Sequence, residues 1–175
     1  MKYEAIAPCL FGMEATVSFE LKNMGIKVLN VSDGRVTFEG DAFEIVRANL
    51  SLRTAERVLI KVGEFKAYSF EQLYQGISKL PFENYIPKDA EFPISKAKSI
   101  NSKLFSKSDI QSVAKKAVVE RLKQKHKVQT LPETGALHPI IIFINKDVVE
   151  VTIDTTGPAL HKRGYREKSG GAPIR

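Results

Sequence analysis

Short strand patterns and amphipathic helix patterns alternate over the first 62 residues, and this order restricts the possible folds more than any other feature. The four strand patterns cover residues 3–7, 27–31, 35–39 and 57–62. One helix pattern ends before Gly25 and the other begins after Asp41, residue types that are common at helix termini. The spacing in the second helix predicts three core-facing side chains: Phe43, Val46 and Leu50.

The resulting order is βαββαβ, in which two split βαβ units place two helices on one face of an antiparallel sheet. Asp33-Gly34 separates the second and third strands and is a strong signal for a hairpin turn. We therefore predict a ferredoxin-like subdomain over residues 1–67.

A second pattern follows Gly63 and also mixes helices with strands. Ser69 is expected to cap a helix, and 92–97 is expected to form a strand. Ser108, with Gln111 three residues later, is expected to cap a long helix. The run 139–144 predicts a strand buried on both faces, and Val149, Val151 and Ile153 alternate on its partner. Overall, the fold class is α/β (α+β).

Positive charge is concentrated in the second part of the chain. Residues 1–67 hold nine Lys or Arg and nine Asp or Glu, whereas residues 68–175 hold eighteen and eleven, which gives +7. The densest stretch, 92–127, combines lysines with small hydroxyl and amide side chains that can hydrogen-bond phosphate and sugar oxygens. This pattern favours a polyanionic partner, RNA above all.

Ten residues are candidates for RNA contact, because they are basic, carry a hydroxyl group, or present an aromatic ring beside lysines. Leu104 is expected to pack under the helix that follows, whereas Phe105 could either pack there or stack on an unpaired base. The alternative for the whole stretch is a solvated, Lys-rich surface without a ligand. The candidates are Lys96, Lys98, Ser102, Lys103, Phe105, Ser106, Lys107, Lys115, Arg163 and Arg166.

The sequence contains no strong catalytic motif: it has no phosphate-binding GKS or GKT loop, HExxH, GxSxG or paired CxxC. The three histidines are far apart, so no metal or catalytic site is predicted. Cys9 is the only cysteine, and we expect it to be a small buried side chain. No apolar run approaches the roughly 20 residues of a membrane span, so we expect a cytoplasmic protein with no membrane partner.

Four stretches resemble the N-terminal region of bacterial THUMP-domain RNA methyltransferases, which methylate guanine N2 in large-subunit ribosomal RNA. They are AIAPCLFGMEATVSFELKNMG near the start, NLSLRTAERVLIKVGEF at 49–65, INSKLFSKSDIQSVAKKAVVERL at 100–122 and DTTGPALHKRGYR at 154–166. APIR at the end resembles the approach to the methyltransferase domain.

The resemblance implies a ferredoxin-like subdomain (1–67), a THUMP α/β domain that binds RNA (68–155) and a linker (156–175). It also implies a catalytic domain that binds S-adenosylmethionine and follows these residues. Its Gly-rich turn and Asn-Pro-Pro-Tyr-type motif are not in the 175 residues. We therefore expect no cofactor and no activity in this chain alone, with ribosomal RNA and its own catalytic domain as partners.

Two alternatives remain open at this stage. The chain could be a docking or assembly module in which the lysines only increase solubility, or the THUMP module of a tRNA-modifying enzyme. A neutral first subdomain fits the docking alternative.

Overall fold

The computed structural model of the protein describes residues 1–162, which form two compact units. Unit 1 comprises Met1–Ile60 and the described part of the segment that begins at Thr155, and unit 2 comprises Lys61–Asp154. The main elements are β1 (Tyr3–Pro8), α1 (Glu14–Asn23), β2 (Lys27–Ser32), β3 (Arg35–Gly40), α2 (Ala42–Ser51), β4 (Leu59–Lys66), α3 (Phe70–Lys79), β5 (Ile94–Ile100), α4 (Lys107–His126), β6 (Ile140–Asn145) and β7 (Val148–Asp154).

Unit 1 has the strand order β2-β3-β1-β4, and its paired strands are antiparallel. Leu21 of α1 and Ala48 of α2 are buried together with Val36 and Phe38 of β3 in one hydrophobic core. The predicted βαββαβ order is therefore confirmed.

Local signals set the boundaries of these elements. Gly25 and Gly34 have φ angles of +73° and +72°, a region that costs glycine little, and they lie after α1 and in the β2–β3 turn. The predicted cap at Asp41 is confirmed: its carboxylate accepts a hydrogen bond from Glu44 N at 2.9 Å, and Glu44 Oε2 accepts one from Asp41 N at 2.8 Å. This reciprocal capping box fixes the start of α2.

The predicted inner face of α2 is wrong. Phe43, Val46 and Leu50 are 74%, 56% and 71% exposed, and Ile45 and Ala48 are buried instead. The spacing of the largest apolar residues was misleading, because the face that packs on the sheet combines Ile45 with the small Ala48. A small side chain lets the helix approach the sheet closely, so size alone does not identify the inner face.

Unit 2 has the strand order β4-β7-β6-β5. β5 is parallel to β6, and the long helix α4 connects them, whereas β6 and β7 form an antiparallel hairpin. The hairpin turn holds Lys146 and Asp147 at φ angles of +50° and +63°. Helices α3 and α4 pack against each other, and their buried side chains share a core with Phe82, Phe92 and Ile140.

Several boundaries in unit 2 differ from the sequence prediction. α4 begins at Lys107 after an N-cap at Ser106, so Ser108 lies in the first turn and is not the cap. β5 begins at Ile94, and Phe92 before it is buried in the core.

β6 is buried on one face only, since Ile140, Ile142 and Ile144 are fully buried while the alternating positions are partly exposed. The prediction of a strand buried on both faces is therefore wrong, because helices of unit 2 cover the sheet only on the side of the hydrophobic core. Within residues 1–162, no helix is long and apolar enough to cross a membrane.

Candidate nucleic-acid interface

Two lysines of the edge strand β5 lie on the sheet face that points away from the core. Lys96 and Lys98 are both exposed, and their partners in register, Ile141 and Phe143, occupy the partly exposed positions of β6. The buried Ala97 between them faces the core. Because strand side chains alternate between faces, the two lysines share one side of the sheet. Lys98 Nζ lies 5.8 Å from the centre of the Phe143 ring.

The loop between β5 and α4, residues 101–106, is tied to the β6–β7 turn by hydrogen bonds. Ser102 Oγ donates to Ile100 O at 2.7 Å and accepts from Asp147 N at 3.0 Å. Lys103 N donates to Asp147 Oδ1 at 2.7 Å, and Ser99 Oγ donates to Leu104 O. These hydrogen bonds hold the loop against the β6–β7 turn.

This loop turns Leu104 into the core and Phe105 into solvent. Leu104 is only 4% exposed, as predicted, whereas Phe105 is 81% exposed. Lys103 and Lys107 on either side are exposed as well. The structure thus presents an aromatic ring between two cations, an arrangement suited to an unpaired base and its phosphates.

Tyr68 is a further residue of this surface that the sequence analysis did not identify. It is 47% exposed, and Lys103 Nζ lies 5.1 Å from the centre of its ring. The two residues are 35 positions apart in the chain, so no local pattern links them. An aromatic residue directly before the helix cap at Ser69 was the only available signal.

Lys115, in contrast, already binds other residues of unit 2. Its Nζ donates to both carboxylate oxygens of Glu133, at 2.8 and 2.9 Å, and to Phe92 O at 3.2 Å. The same ammonium group lies 3.7 Å from the centre of the Phe92 ring. These contacts use its donors and its charge, so Lys115 is not part of the surface proposed below.

Arg121 of α4 is likewise engaged. Its Nε donates to Glu83 Oε2 at 3.0 Å, and its Nη2 donates to the other carboxylate oxygen. The hydrogen bond from Arg121 holds the pKa of the Glu83 carboxyl below its ordinary value. Lys116, Lys125 and Lys127 of the same segment are exposed.

The remaining candidates fall into two groups. Ser106 occupies the N-cap position of α4 without a side-chain capping hydrogen bond, and its Oγ lies 3.3 Å from Ser108 Oγ. Arg163 and Arg166 lie outside the described residues. For all ten candidates, contact with RNA stays a prediction.

The described residues form neither a reactive cysteine site nor a metal site. Cys9 is buried as expected, and burial, followed by the negative charges of Glu14 and Glu56, raises the pKa of its thiol. A thiol with a raised pKa is a poor nucleophile. Within the described residues, no three His, Cys, Asp or Glu side chains come together to form a metal site.

Comparison with known protein families agrees with this architecture, a ferredoxin-like unit followed by an α/β unit. The RlmL ferredoxin-like domain matches residues 4–59, and the THUMP domain matches residues 67–154. The chain belongs to the THUMP-domain family, and the predicted resemblance and fold class are confirmed.

Similar proteins are longer than this chain. The protein named "Putative RNA methyltransferase YpsC" of Bacillus subtilis (strain 168) is 43% identical over 99% of this chain, which spans 45% of that protein. A solved structure described as "a possible methylase" from Clostridium difficile 630 is 48% identical with a TM-score of 0.95, covering 100% of this chain and 46% of that one. "SMU.472, a putative methyltransferase complexed with SAH" is 44% identical with a TM-score of 0.92, covering 95% of this chain and 45% of that one.

Proposed function

We propose that this chain is the RNA-binding part of an RNA methyltransferase and that unit 2 makes the RNA contacts. The observation that carries the proposal is the anchored loop, which directly follows β5 with its exposed Lys96 and Lys98, and which holds Phe105 in solvent with the exposed Lys103 and Lys107 two residues to either side in the sequence. Membership of the THUMP family and the name of the Bacillus subtilis relative support the same function.

The four lysines would neutralise phosphates, which gives affinity and orientation without sequence discrimination. Ser102 contributes mainly to loop structure, because its hydroxyl group already donates to Ile100 and accepts from Asp147. Phe105 would stack on an unpaired base, so the surface suits RNA with a loop, a bulge or a single-stranded end.

Methyl transfer is assigned to the rest of the longer protein. The chain spans about 45% of the Bacillus subtilis relative, and the SMU.472 structure is described as holding SAH, the form of S-adenosylmethionine after it gives up its methyl group. Our finer proposal is guanine-N2 methylation of large-subunit ribosomal RNA. In that reaction this chain would bind and orient the RNA, and the target base would be extruded into the methyltransferase domain.

The first experiment measures binding of the chain to ribosomal RNA fragments and to tRNA over a series of salt concentrations. Neutralisation of four phosphates predicts a slope of log K against log salt of roughly −2.8 to −3.6. Lys98→Glu, Lys103→Glu and Lys107→Glu together should reduce that slope to roughly −0.7 to −0.9.

The matched control reverses three exposed lysines of unit 1, Lys2, Lys22 and Lys27, and makes the same change in net charge. It should leave the slope unchanged. Equal losses in both triple variants, or binding that is insensitive to salt, would contradict the proposed surface. Preference for tRNA over ribosomal RNA would instead support a tRNA-modifying enzyme.

A further inference from the structure

Helix α2 of unit 1 is apolar on its outer side as well as on its inner side. Ile45 and Ala48 are buried in the core, while Phe43 and Val46 are 74% and 56% exposed. Residues three apart are neighbours on a helix surface, so the two exposed side chains form one patch. Adjacent exposed apolar side chains of this kind mark an interaction surface.

The patch continues into a groove of about 370 Å³ between α2 and the sheet of unit 1. Side chains from β1, α2 and β4 line this groove, among them Tyr3, Val46 and Ile60. Thr155, which follows β7, lines it too. The surface of the groove is mainly apolar, with Asn49 and Thr155 supplying the polar groups.

Hydrogen bonds hold the segment after β7 against residues at and near the edge of this groove. Asn49 Nδ2 donates to Thr155 Oγ1 at 2.9 Å, and Thr156 Oγ1 donates to Asn49 Oδ1 at 2.8 Å. Thr156 Oγ1 also accepts from Val58 N at 2.8 Å, and Arg57 Nη1 donates to Gly157 O at 2.7 Å. We call residues 155–157 the exit clasp, since they bind the chain to unit 1 directly after the last strand of unit 2.

We propose that the α2 patch and its groove are the docking site for the methyltransferase domain that follows this chain in the longer protein. The inference rests on the proposed function, which places that domain after these residues. The exit clasp holds residues 155–157 beside the groove, so a domain tethered after this chain would be present there at high effective concentration. Residues 1–60 of unit 1 carry seven Lys or Arg and eight Asp or Glu, so they have almost no net charge to repel it.

The test uses thiol labelling, because the only cysteine of the chain, Cys9, is buried. Val46→Cys is introduced into the chain 1–175 and into the full-length protein, and the modified peptide is followed by mass spectrometry. Labelling at position 46 should be roughly tenfold or more slower in the full-length protein, since a docked domain must open before the reagent enters. Phe19→Cys is the matched control, because Phe19 is 63% exposed on α1 and does not line the groove. Its labelling rate should be equal in the two proteins.

Equal rates at position 46 in the two proteins would overturn the proposal. A rate in the chain 1–175 that falls with rising protein concentration would identify a second copy as the occupant and would overturn it as well. Slow labelling already in dilute chain 1–175, compared with Phe19→Cys, would show that the chain covers its own groove and would likewise overturn the proposal. RNA binding by the chain 1–175 is measured separately, so failure of docking is distinguishable from failure of the proposed RNA-binding function.

Discussion

The two units differ in what they present to solvent. Unit 2 carries fifteen Lys or Arg and eleven Asp or Glu over residues 61–154, a balance of +4, whereas unit 1 carries eight of each over its described residues, 1–60 and 155–162. The exposed side chains that distinguish unit 1 are apolar, such as Phe43 and Val46 on α2. A cationic surface suits a polyanion, and an apolar surface suits a folded protein domain. The comparison therefore agrees with the two proposals, RNA binding by unit 2 and docking of a protein domain on unit 1.

The largest expected effect comes from truncating one buried phenylalanine in each of the two hydrophobic cores. Phe82 in unit 2 and Phe38 in unit 1 are both fully buried, so truncation of either to Ala should lower the free energy of unfolding by about 3 to 5 kcal/mol. Urea unfolding measures this loss. Near the unfolding midpoint of each variant, RNA binding should weaken in Phe82→Ala and persist in Phe38→Ala. Equal weakening in both would break the assignment of RNA to unit 2.

A smaller effect tests the exposed ring of the loop. Phe105→Ala should weaken binding of single-stranded RNA by about 1 to 3 kcal/mol, because it removes one stacked base. The stability of the variant should change by less than about 0.5 kcal/mol, since the side chain is 81% exposed. Phe11→Ala is the matched control, because Phe11 is 82% exposed in unit 1. Titration of a single-stranded RNA into each variant is the measurement, and equal weakening by the two variants would contradict the stacking role.

The smallest effect depends on pH and compares one acidic group in each unit. Arg121 lowers the pKa of Glu83 in the folded state, so this pair contributes stability above the unfolded pKa of about 4.3 and loses it as the pH falls through the folded pKa. Glu83→Gln should therefore cost about 1 to 2 kcal/mol at pH 7, after allowance for partial exposure, and less near pH 3, which lies below the unfolded pKa. Thermal unfolding at both pH values measures the difference.

Glu39 in unit 1 is the control for that experiment. Its pKa is also lowered, first by a hydrogen bond from Lys2, but the Lys2 and Lys27 side chains that pair with it are 66% and 67% exposed. Solvent screens such pairs, so Glu39→Gln should change stability less than Glu83→Gln. A larger effect at Glu39 would show that burial does not decide the strength of these pairs.

The order of the elements could be predicted from the sequence because local signals specify it. Gly25, Asp33-Gly34 and Asp41 mark boundaries through backbone conformation and capping, which depend on a few adjacent residues. The buried face of α2 could not be predicted, because it depends on how Ala48 packs against the sheet. The strands of that sheet come from other parts of the sequence. Sequence shows which residues can make a helix, while packing decides which side is covered.

The candidate site, too, was predictable only in part. The exposed lysines and Phe105 lie in one continuous stretch, so composition and spacing identified them. Lys115 lies in the same stretch, yet its partner Glu133 is 18 residues away and no periodic pattern connects them. Tyr68 and Lys103 come together only through the fold. Long-range contacts therefore decide which members of a basic stretch remain available to a ligand.

The exit clasp also has a consequence for synthesis. Thr155, Thr156 and the buried Leu160 belong to unit 1, although they are translated after the whole of unit 2. A ribosome therefore synthesises the whole of unit 2 before the last residues of unit 1 emerge. Translation of unit 1 starts before unit 2 and ends after it, so the core of unit 1 is completed only after the intervening unit has been made.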